Sequence, residues 1–423
     1  MNLIIKKIGR FVEENLENEP LKVRRLLKAA YKVSGWQMKY LPERHFSPSE
    51  KDLAVICNKA IQQPLRDPQN SAIVNVFLPC GILYAMDIMP YFTEGLAGYL
   101  NGAGCDRAFI EYAEKSGIPK SYCSYHKILL GAALSGFLPK PLCVLNTSLA
   151  CDANNVTFRT LAQHYGVPQY VIDVPSEHNQ ETTYYVAQQL RQMTVFLEDI
   201  TGKKLDDERL IQTIKRENHS LRLYKSFLRE LAAKELPNNF TSEMYRIFVT
   251  HILLGTKGAQ SYFARLLKEA EKAPPAQGKL RILWVHSLPY WQRSLSSLFK
   301  LSDRYQLLCC DLNFDCLLEI DEENIYEGLA HKLLSNALGG KINRRADKLL
   351  EMSRQLRADG VIYFCHWGCK NTLGGAQFVK DRLQEAAVPV LILDGDGCDR
   401  NNVNDGQMLT RLQAFLEMLE GKR

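Results

Sequence analysis

The chain has 423 residues, of which 46% are apolar and 24% charged, so it has the composition of a globular protein large enough for about two or three domains. The formal net charge is +6 without a prominent Lys/Arg tract, so we expect no nucleic-acid partner, whereas a small anionic ligand stays open. No run reaches the ~18 apolar residues of a membrane span, and the start lacks a signal-peptide pattern. We therefore expect a cytoplasmic protein without membrane association.

The first 70 residues predict a helical segment. Apolar residues recur at helical intervals over 8–36, with a break at Pro20. A further helix is predicted over 47–65, with Ser47 or Ser49 as its N-cap. Cys57 lies on the apolar side of that helix, so we interpret it as a core residue.

From residue 71 onward, short apolar runs alternate with helical stretches. The first series contains "SAIVNVFLP", "PLCVLNTS" and "QYVIDVP", and the second contains "LRILWVHS", "YQLLCCDLN", "GVIYFCH" and "VPVLILDGD". Buried strands that alternate with helices indicate parallel βαβ units. Between the two series, residues 183–275 predict long helices, and "KAPPAQGK" is typical of a linker.

The two series follow the same order of features. In each, a strand is followed by a loop ending in a cysteine, Cys151 or Cys369, then by a helix, Val-Pro and a strand that ends near Asp173 or Asp394. We therefore predict an α/β fold of two doubly wound (Rossmann/flavodoxin-like) parallel-sheet domains facing a cleft. The predicted segments are a helical N-terminal segment 1–70, a first α/β domain 71–182, a helical connector 183–277 and a second α/β domain 278–423.

The twelve cysteines are expected to be reduced thiols, because the cytoplasm does not sustain disulfides. Most free cysteines are buried as small apolar residues. Cys309, Cys310 and Cys316, which lie in or just after a predicted strand, are assigned to the core on this basis.

Cys123, Cys151 and Cys369 differ from the others, because each precedes a predicted helix in a polar loop. Ligands of open α/β sheets bind at the carboxyl ends of strands, and a helix N-terminus favours the thiolate. Three thiolates around a cleft indicate a metal or iron–sulfur centre. Zinc-finger CxxC pairs do not occur in the sequence. The alternative is that each of the three cysteines is simply buried.

Three motifs make the sequence similar to a known family. The segment "GVIYFCHWGCKNTLGGAQFVKDRLQEAAVPVLILDGDGCDRN" resembles the C-terminal signature of the 2-hydroxyacyl-CoA dehydratase and benzoyl-CoA reductase family. "PLCVLNTSLACDANNVTF" resembles its central motif, and "FLPCGILYAMDIMPYF" its N-terminal motif. The resemblance covers about residues 70–423 and is strongest to the cluster-carrying subunit, the D-component type of 2-hydroxyglutaryl-CoA dehydratase.

The resemblance implies a cofactor and a reaction. The family holds a [4Fe-4S] cluster through three cysteines, and Cys123, Cys151 and Cys369 match them as cofactor-binding and metal-ligating residues. A separate ATP-dependent iron–sulfur activator supplies one electron, and a 2-hydroxyacyl-CoA loses water through a ketyl radical to give a 2-enoyl-CoA. The chain has neither a P-loop nor a GxGxxG motif, in keeping with such an activator. The resemblance also implies anaerobic metabolism and a homologous second subunit in a heterodimer.

Four alternatives stay open at this point. The chain could be a benzoyl-CoA-reductase-type subunit that reduces an aromatic acyl-CoA, or an electron-transfer iron–sulfur subunit without its own substrate. It could be a binding or scaffold protein whose cysteines are all core residues. The resemblance also leaves room for a double-cubane cluster, in which further cysteines would take part: Cys80, Cys105, Cys365 and Cys398.

Several polar residues near the three cysteines are weaker candidates. His366 and Ser148 are proposed as catalytic residues, His366 by binding substrate or moving a proton. Ser148 and Asn146 are candidates to donate hydrogen bonds to cluster sulfides, His126 is a further candidate, and Asp152 is predicted to cap the helix after Cys151. The C-terminal polar residues are expected to serve structure or subunit contacts: Asp394, Asp396, Asp399, Arg400 and Arg411.

One position departs from the family pattern. Relatives usually carry a glutamate shortly after the proline of the N-terminal motif, whereas Cys80 and Gly81 follow Pro79 here. If that glutamate takes part in substrate binding or proton transfer, we expect this chain to have an altered specificity or to be a diverged member with another reductive substrate.

Overall fold

A computed structural model describes residues 3–41, 46–315 and 317–422 of the chain. Within them the structure contains two four-stranded sheets, and every strand pair in both sheets is parallel. The first sheet consists of β1 Ser71–Val74, β2 Met89–Phe92, β3 Cys143–Thr147 and β4 Gln169–Ile172. The second consists of β5 Leu280–Val285, β6 Tyr305–Cys310, β7 Gly360–His366 and β8 Val390–Gly395. The predicted α/β fold class is confirmed.

The two sheets have the same topology. The strand order is β2-β1-β3-β4 in the first and β6-β5-β7-β8 in the second, so β1 corresponds to β5 and β3 to β7. This order reverses direction after the central strand, which is the switch point where doubly wound sheets bind ligands. The equivalence of the two halves agrees with the repeated sequence pattern.

Helices cover the sheets and connect them. Those of the N-terminal part and the first half are α1 Leu3–Asn15, α2 Pro20–Tyr40, α3 Pro48–Arg66, α4 Gly81–Ala85, α5 Thr93–Gly102, α6 Asp106–Lys115, α7 Ser124–Leu134 and α8 Asp152–Tyr165. Between the sheets lie α9 Gln180–Thr201, α10 Asp207–Leu231, α11 Phe240–Ile247 and α12 Lys257–Lys272. The second half contains α13 Arg293–Phe299, α14 Ile325–Leu334, α15 Ile342–Gln355, α16 Lys370–Glu385 and α17 Asp405–Glu420. The proposed segment boundaries at 70, 182 and 277 stay predictions.

The predicted helix starts in the N-terminal part are confirmed. Pro20 is the first residue of α2, where its missing N–H costs no helical hydrogen bond. Ser47, rather than Ser49, caps α3: its hydroxyl accepts from the Glu50 N–H, and the Glu50 carboxylate accepts from the Ser47 N–H. Ser49 lies inside the helix and is bound to Glu269.

The sequence did not predict strand β2. Its four residues include Pro90, which lies opposite Ala72 of β1. Proline cannot donate to a ladder, so it occurs in edge strands, and β2 is the edge of its sheet. A short, proline-containing run therefore carries little strand signal.

The loop after β8 connects the two halves. Arg400 forms an ion pair with Asp106 of α6, at 3.1 Å between Nε and Oδ1. The Ser124 hydroxyl donates to the Asp396 carboxylate at 2.5 Å, and the Asn101 amide donates to the Cys398 carbonyl at 2.6 Å. Because these polar groups are buried and partnered across the halves, they fix how the two sheet ends face each other.

The cysteines assigned to the core are buried. Cys57, Cys309 and Cys310 are each inaccessible to solvent, which confirms their assignment, while Cys316 lies outside the described residues. None of the helices in the described ranges combines the length and apolar character that a membrane crossing requires.

Candidate functional site

A cavity of about 670 Å³ lies where the carboxyl ends of the two sheets face each other. Residues that follow the two central strand pairs line it: Val76 after β1, Cys151 after β3, His286 after β5 and Cys369 after β7. A cavity of this volume is in the usual range for a small-molecule site. The site is therefore at the position that the doubly wound topology predicts.

Cys123, Cys151 and Cys369 all line this cavity. Each is the residue immediately before a helix, α7, α8 and α16 respectively, and none of these helix starts has a side-chain cap. Three helix N-termini therefore converge on one cavity, and their partial positive charges favour negatively charged sulfur there. The structure brings together the three cysteines that the sequence singled out from both halves.

The backbone next to two of these cysteines is unusual in the same way. Ala150 and Gly368, which precede Cys151 and Cys369, have positive φ values of 71° and 81°. A Cβ at position 368 would lie 2.7 Å from the backbone nitrogen of Cys123, so only glycine fits between the two cysteine loops. The glycine of "CHWGC" is thus explained by the close approach of Cys369 and Cys123.

Each of the three cysteines has a histidine beside its sulfur. The distance from Sγ to Nε2 is 3.2 Å for Cys123 and His366, and 3.8 Å for Cys151 and His126. The third pair is Cys369 and His286, also at 3.8 Å. All three histidines line the cavity, and burial lowers the pKa of each. Buried neutral imidazoles can donate one hydrogen bond to sulfur.

The tautomer of His366 follows from its other contact. The backbone N–H of Gly397 donates to Nδ1 of His366 at 3.0 Å, so Nδ1 carries no proton. The ring is buried and neutral, and its proton is therefore on Nε2, which faces Cys123. His366 is thus placed as a donor to sulfur, with both ring nitrogens engaged.

The backbone of His286 is held by side chains of the second half. It has a φ of +75°, and its N–H donates to the Asp311 carboxylate at 2.6 Å. Arg345 binds the other oxygen of Asp311 at 2.9 Å. A non-glycine residue is found at such a φ only where the surroundings require it, and here the buried Asp311–Arg345 pair holds it. No sequence pattern indicated His286, which lies 83 residues before Cys369.

The three cavity thiols are candidate ligands of a metal or cluster. Among the described residues, no three His, Cys, Asp or Glu side chains converge closely enough to hold one metal ion. Burial, and then the neighbouring cysteines, raise the pKa of the Cys123 thiol, and burial and Cys369 raise the pKa of Cys151 to about 12. A bound metal would remove the cost of ionising these thiols, because thiolate ligands are deprotonated.

Glu94 is a further polar residue of the cavity, which the sequence did not identify. It lies in the first turn of α5, and its carboxylate accepts from the Val76 N–H at 3.3 Å. Burial raises the pKa of Glu94 to about 7, where a carboxyl group can both accept and release a proton. Its sequence signal is a lone charge in the apolar stretch 88–100, which contains no other ionisable carboxylate.

The other predicted residues lie in different places. Ser148 is half-buried at the end of β3, where its hydroxyl donates to Asp173 and accepts from the Val174 N–H. Asn146 accepts from Gln169. These contacts hold β3 and β4 together, and a role for Ser148 or Asn146 toward a cofactor stays a prediction.

The prediction that Asp152 caps α8 is wrong. Cys151 occupies the cap position, and Asp152 is the first residue of the helix. Its exposed carboxylate lies 3.5 Å from Lys370, the residue after Cys369, so the two equivalent positions of the halves pair at the outer end of the cavity.

The cysteines considered for a larger cluster point at backbone carbonyls. The thiols of Cys80 and Cys105 donate to Leu78 and Ala103, and those of Cys365 and Cys398 to Thr372 and Ala97. Burial raises the pKa of all four. They behave as buried thiols, and the described lining of the cavity contains the three cysteines discussed above.

The polar residues at the C-terminal end bind within the chain, in agreement with the structural role expected of them. Asp396 also accepts from the Asp399 N–H, and Asp399 accepts from the Asn401 N–H. Arg411 forms an ion pair with Asp394 at 3.5 Å and donates to the Ile392 carbonyl.

The chain is similar in sequence to several known proteins. The chain is 24% identical over 372 residues to the (R)-phenyllactyl-CoA dehydratase alpha subunit of Clostridium sporogenes, covering 82% of this chain and 88% of the relative. It is 24% identical to subunit alpha of (R)-2-hydroxyglutaryl-CoA dehydratase from Acidaminococcus fermentans, over 67% of this chain and 61% of that protein. The chain is also 22% identical to the lactoyl-CoA dehydratase subunit alpha of Anaerotignum propionicum, over 74% of this chain and 81% of that protein.

A family model matches most of the chain, from residue 75 to 419, so it includes the second sheet, strands β2 to β4 of the first, the connecting helices and all three cavity cysteines. The distant relatives are alpha subunits of 2-hydroxyacyl-CoA dehydratases, as the sequence motifs implied. The chain belongs to the 2-hydroxyglutaryl-CoA dehydratase D-component family.

Proposed function

We propose that the chain is the iron–sulfur subunit of a 2-hydroxyacyl-CoA dehydratase, which removes water from a 2-hydroxyacyl-CoA to give a 2-enoyl-CoA. The observation that carries the proposal is the placement of Cys123, Cys151 and Cys369 around one cavity, each before a helix. Family membership supplies the reaction class.

The three cysteines are proposed to hold a [4Fe-4S] cluster. When bound, such a cluster supplies an open Lewis-acidic iron and a one-electron donor. Each cysteine lies directly before a helix, and the N-terminus of that helix stabilises the negative charge of thiolate and sulfide. The residues that line the cavity around the cysteines are largely apolar and aromatic.

His366, His126 and His286 are proposed to orient the cysteines. His366 keeps its proton on Nε2 and directs it at Cys123, because Gly397 occupies Nδ1. A histidine with both nitrogens engaged is poorly placed to carry a proton to or from substrate. These contacts support a positioning role for His366, and the catalytic role predicted for it stays a prediction.

Glu94 is proposed as the group that accepts the proton from the β-carbon while the 2-hydroxyl leaves. It lines the same cavity as the cysteines, and its pKa of about 7 suits a general base at neutral pH. It also offers this chain a carboxylate in the site although the N-terminal motif has Gly81 instead of glutamate. In this arrangement the thioester carbonyl of the substrate would face the cysteines, and its β-carbon would face Glu94 of α5.

A pure electron-transfer role is less well supported. A cluster that only passes electrons needs no substrate space, whereas here a cavity of about 670 Å³ adjoins the three cysteines. The names of the relatives, which are alpha subunits, support a homologous partner subunit, and the absence of a P-loop from the sequence supports a separate ATP-dependent activator. A benzoyl-CoA-reductase-type reaction remains the alternative within this family.

The proposal is tested with anaerobically purified protein, an activator of this enzyme class, ATP and a reductant. We expect conversion of 2-hydroxyacyl-CoA esters to 2-enoyl-CoA, measured by chromatography of the CoA esters. The conversion should be lost when ATP or activator is omitted. Consumption of benzoyl-CoA instead would select the reductase alternative. No conversion of either class by cluster-loaded protein with its partner subunit would refute the proposal.

A further inference from the structure

The inner wall of the cavity is built from aromatic rings. Phe92 and Phe248 meet edge to face, with ring centroids 4.9 Å apart. Tyr99 stacks on Tyr245 at 5.4 Å and contacts Phe248 at 6.1 Å. All four rings line the cavity. Such a continuous wall favours binding of a flat aromatic group, because a pair of aromatic rings is stabilised by more than the burial of its apolar area alone.

The wall is fixed by close packing. A Cβ at Gly95 would lie 2.4 Å from Phe248 and 2.5 Å from Phe92, so the two rings close on the glycine of α5. The Tyr290 hydroxyl donates to the carbonyl of Gly98, one turn further along the same helix. The rings are therefore preformed rather than free to move aside, which lowers the entropy cost of binding a rigid ligand.

Cations are nearly absent from this cavity. Of the described residues that line it, Lys370 is the one lysine or arginine, and its side chain is 86% exposed at the outer end, where it pairs with Asp152. The carboxyl group near the aromatic wall is Glu94, which would repel a second carboxylate. A charged acyl group would therefore lose its water without gaining a partner.

We infer that the acyl group taken by this site is uncharged and carries an aromatic ring, as in a 2-hydroxy-3-arylpropanoyl thioester, rather than a second carboxylate. The inference rests on the proposed function, because it takes the thioester to lie at the three cysteines. The ring then lies against Phe92, Phe248, Tyr99 and Tyr245, and the reacting carbons lie between the cysteines and Glu94.

The test measures binding of CoA esters that cannot be dehydrated, by anaerobic titration calorimetry on the cluster-loaded protein with its copurifying subunit. The probes are 3-phenylpropanoyl-CoA, propanoyl-CoA and glutaryl-CoA. We expect the phenyl ester to bind at least about tenfold more tightly than either of the others, because a whole ring is buried. Equal or tighter binding of glutaryl-CoA would overturn the inference while leaving the dehydratase proposal intact.

A variant locates the ring. Tyr245 is half-buried, and Tyr245→Ala should weaken the phenyl ester roughly three- to tenfold and leave propanoyl-CoA unchanged. Tyr245→Phe should restore binding, and Tyr184→Ala, at a 63%-exposed tyrosine, should change neither. If Tyr245→Ala weakens the binding of 3-phenylpropanoyl-CoA and propanoyl-CoA equally, the placement of the ring is overturned. If none of the esters binds to the folded, cluster-loaded protein, both the inference and the proposed function fall.

Discussion

Replacing Glu94 with glutamine should stabilise the protein at alkaline pH. The carboxyl group of Glu94 is held in the fold with a pKa raised from 4.5 to about 7 by burial. The unfolded chain therefore releases this proton more readily than the folded one, and stability falls as the pH rises from 4.5 through 7. Glutamine keeps an oxygen that can accept from the Val76 N–H but carries no charge.

The size of the effect follows from the shift. A change from 4.5 to about 7 corresponds to about 3 kcal/mol above pH 7, since one pKa unit is about 1.4 kcal/mol. This is an upper bound, because Glu94 is half-buried and its cavity-facing atoms meet water. At pH 5 the difference should shrink to about 1 kcal/mol or less. For a chain of this length the unfolding entropy is about 0.9 kcal/mol/K, so the melting temperature should rise by at most about 3 °C.

The assay is differential scanning fluorimetry of wild type and Glu94→Gln between pH 5 and 8.5, under anaerobic conditions. Glu323→Gln is the matched control, because Glu323 is exposed and its charge lies in water. The reasoning is refuted if the difference in melting temperature between Glu94→Gln and wild type does not change with pH. It is also refuted if the variant is less stable than wild type at pH 8.5. The same variant should lose dehydration activity if Glu94 accepts the β-proton, while its iron content stays unchanged.

Three further predictions concern the cysteine loops. Gly368→Ala should lower iron per chain, measured by ferrozine assay, because its Cβ would meet Cys123 at 2.7 Å on a backbone with positive φ. Ala150→Gly should leave iron unchanged, since glycine adopts the φ of 71° without strain, and a loss of iron would show that the side chain at 150 matters more than its backbone. His366→Phe should lower the reduction potential of the cluster in an EPR-monitored titration, because the Nε2–H toward Cys123 favours the reduced, more negative state, and His366→Gln should partly restore it. An unchanged potential in His366→Phe at full iron content would contradict this role.

Local patterns in the sequence were sufficient for the fold class and for the position of the three cysteines directly before helices. Buried strands such as β7 are continuous apolar runs, and a cysteine that directly precedes an amphipathic helix can be read from the sequence. The duplication was visible for the same reason, since β3 and β7 lead into equivalent loops. Strand β2 was missed because Pro90 and its short length remove the usual signals.

The surroundings of the cysteines could not be predicted, because they depend on contacts between distant segments. His286 reaches Cys369 across 83 residues and His366 reaches Cys123 across 243. Glu94 is functional in this account only because burial in the folded cavity raises its pKa. The assignment of Asp152 as a cap failed since Cys151 itself takes the cap position, a one-residue difference that residue preferences do not resolve.

The most direct test of the central claim is iron and acid-labile sulfide per chain after strictly anaerobic purification, for wild type and for Cys123→Ser, Cys151→Ser and Cys369→Ser. Cys143→Ser, at a buried cysteine of β3 that does not line the cavity, is the control. The account predicts about four iron and four sulfide per chain in wild type and in the control, with loss in the other three variants. Folded, air-free protein without iron, or full iron in the three variants, would contradict it.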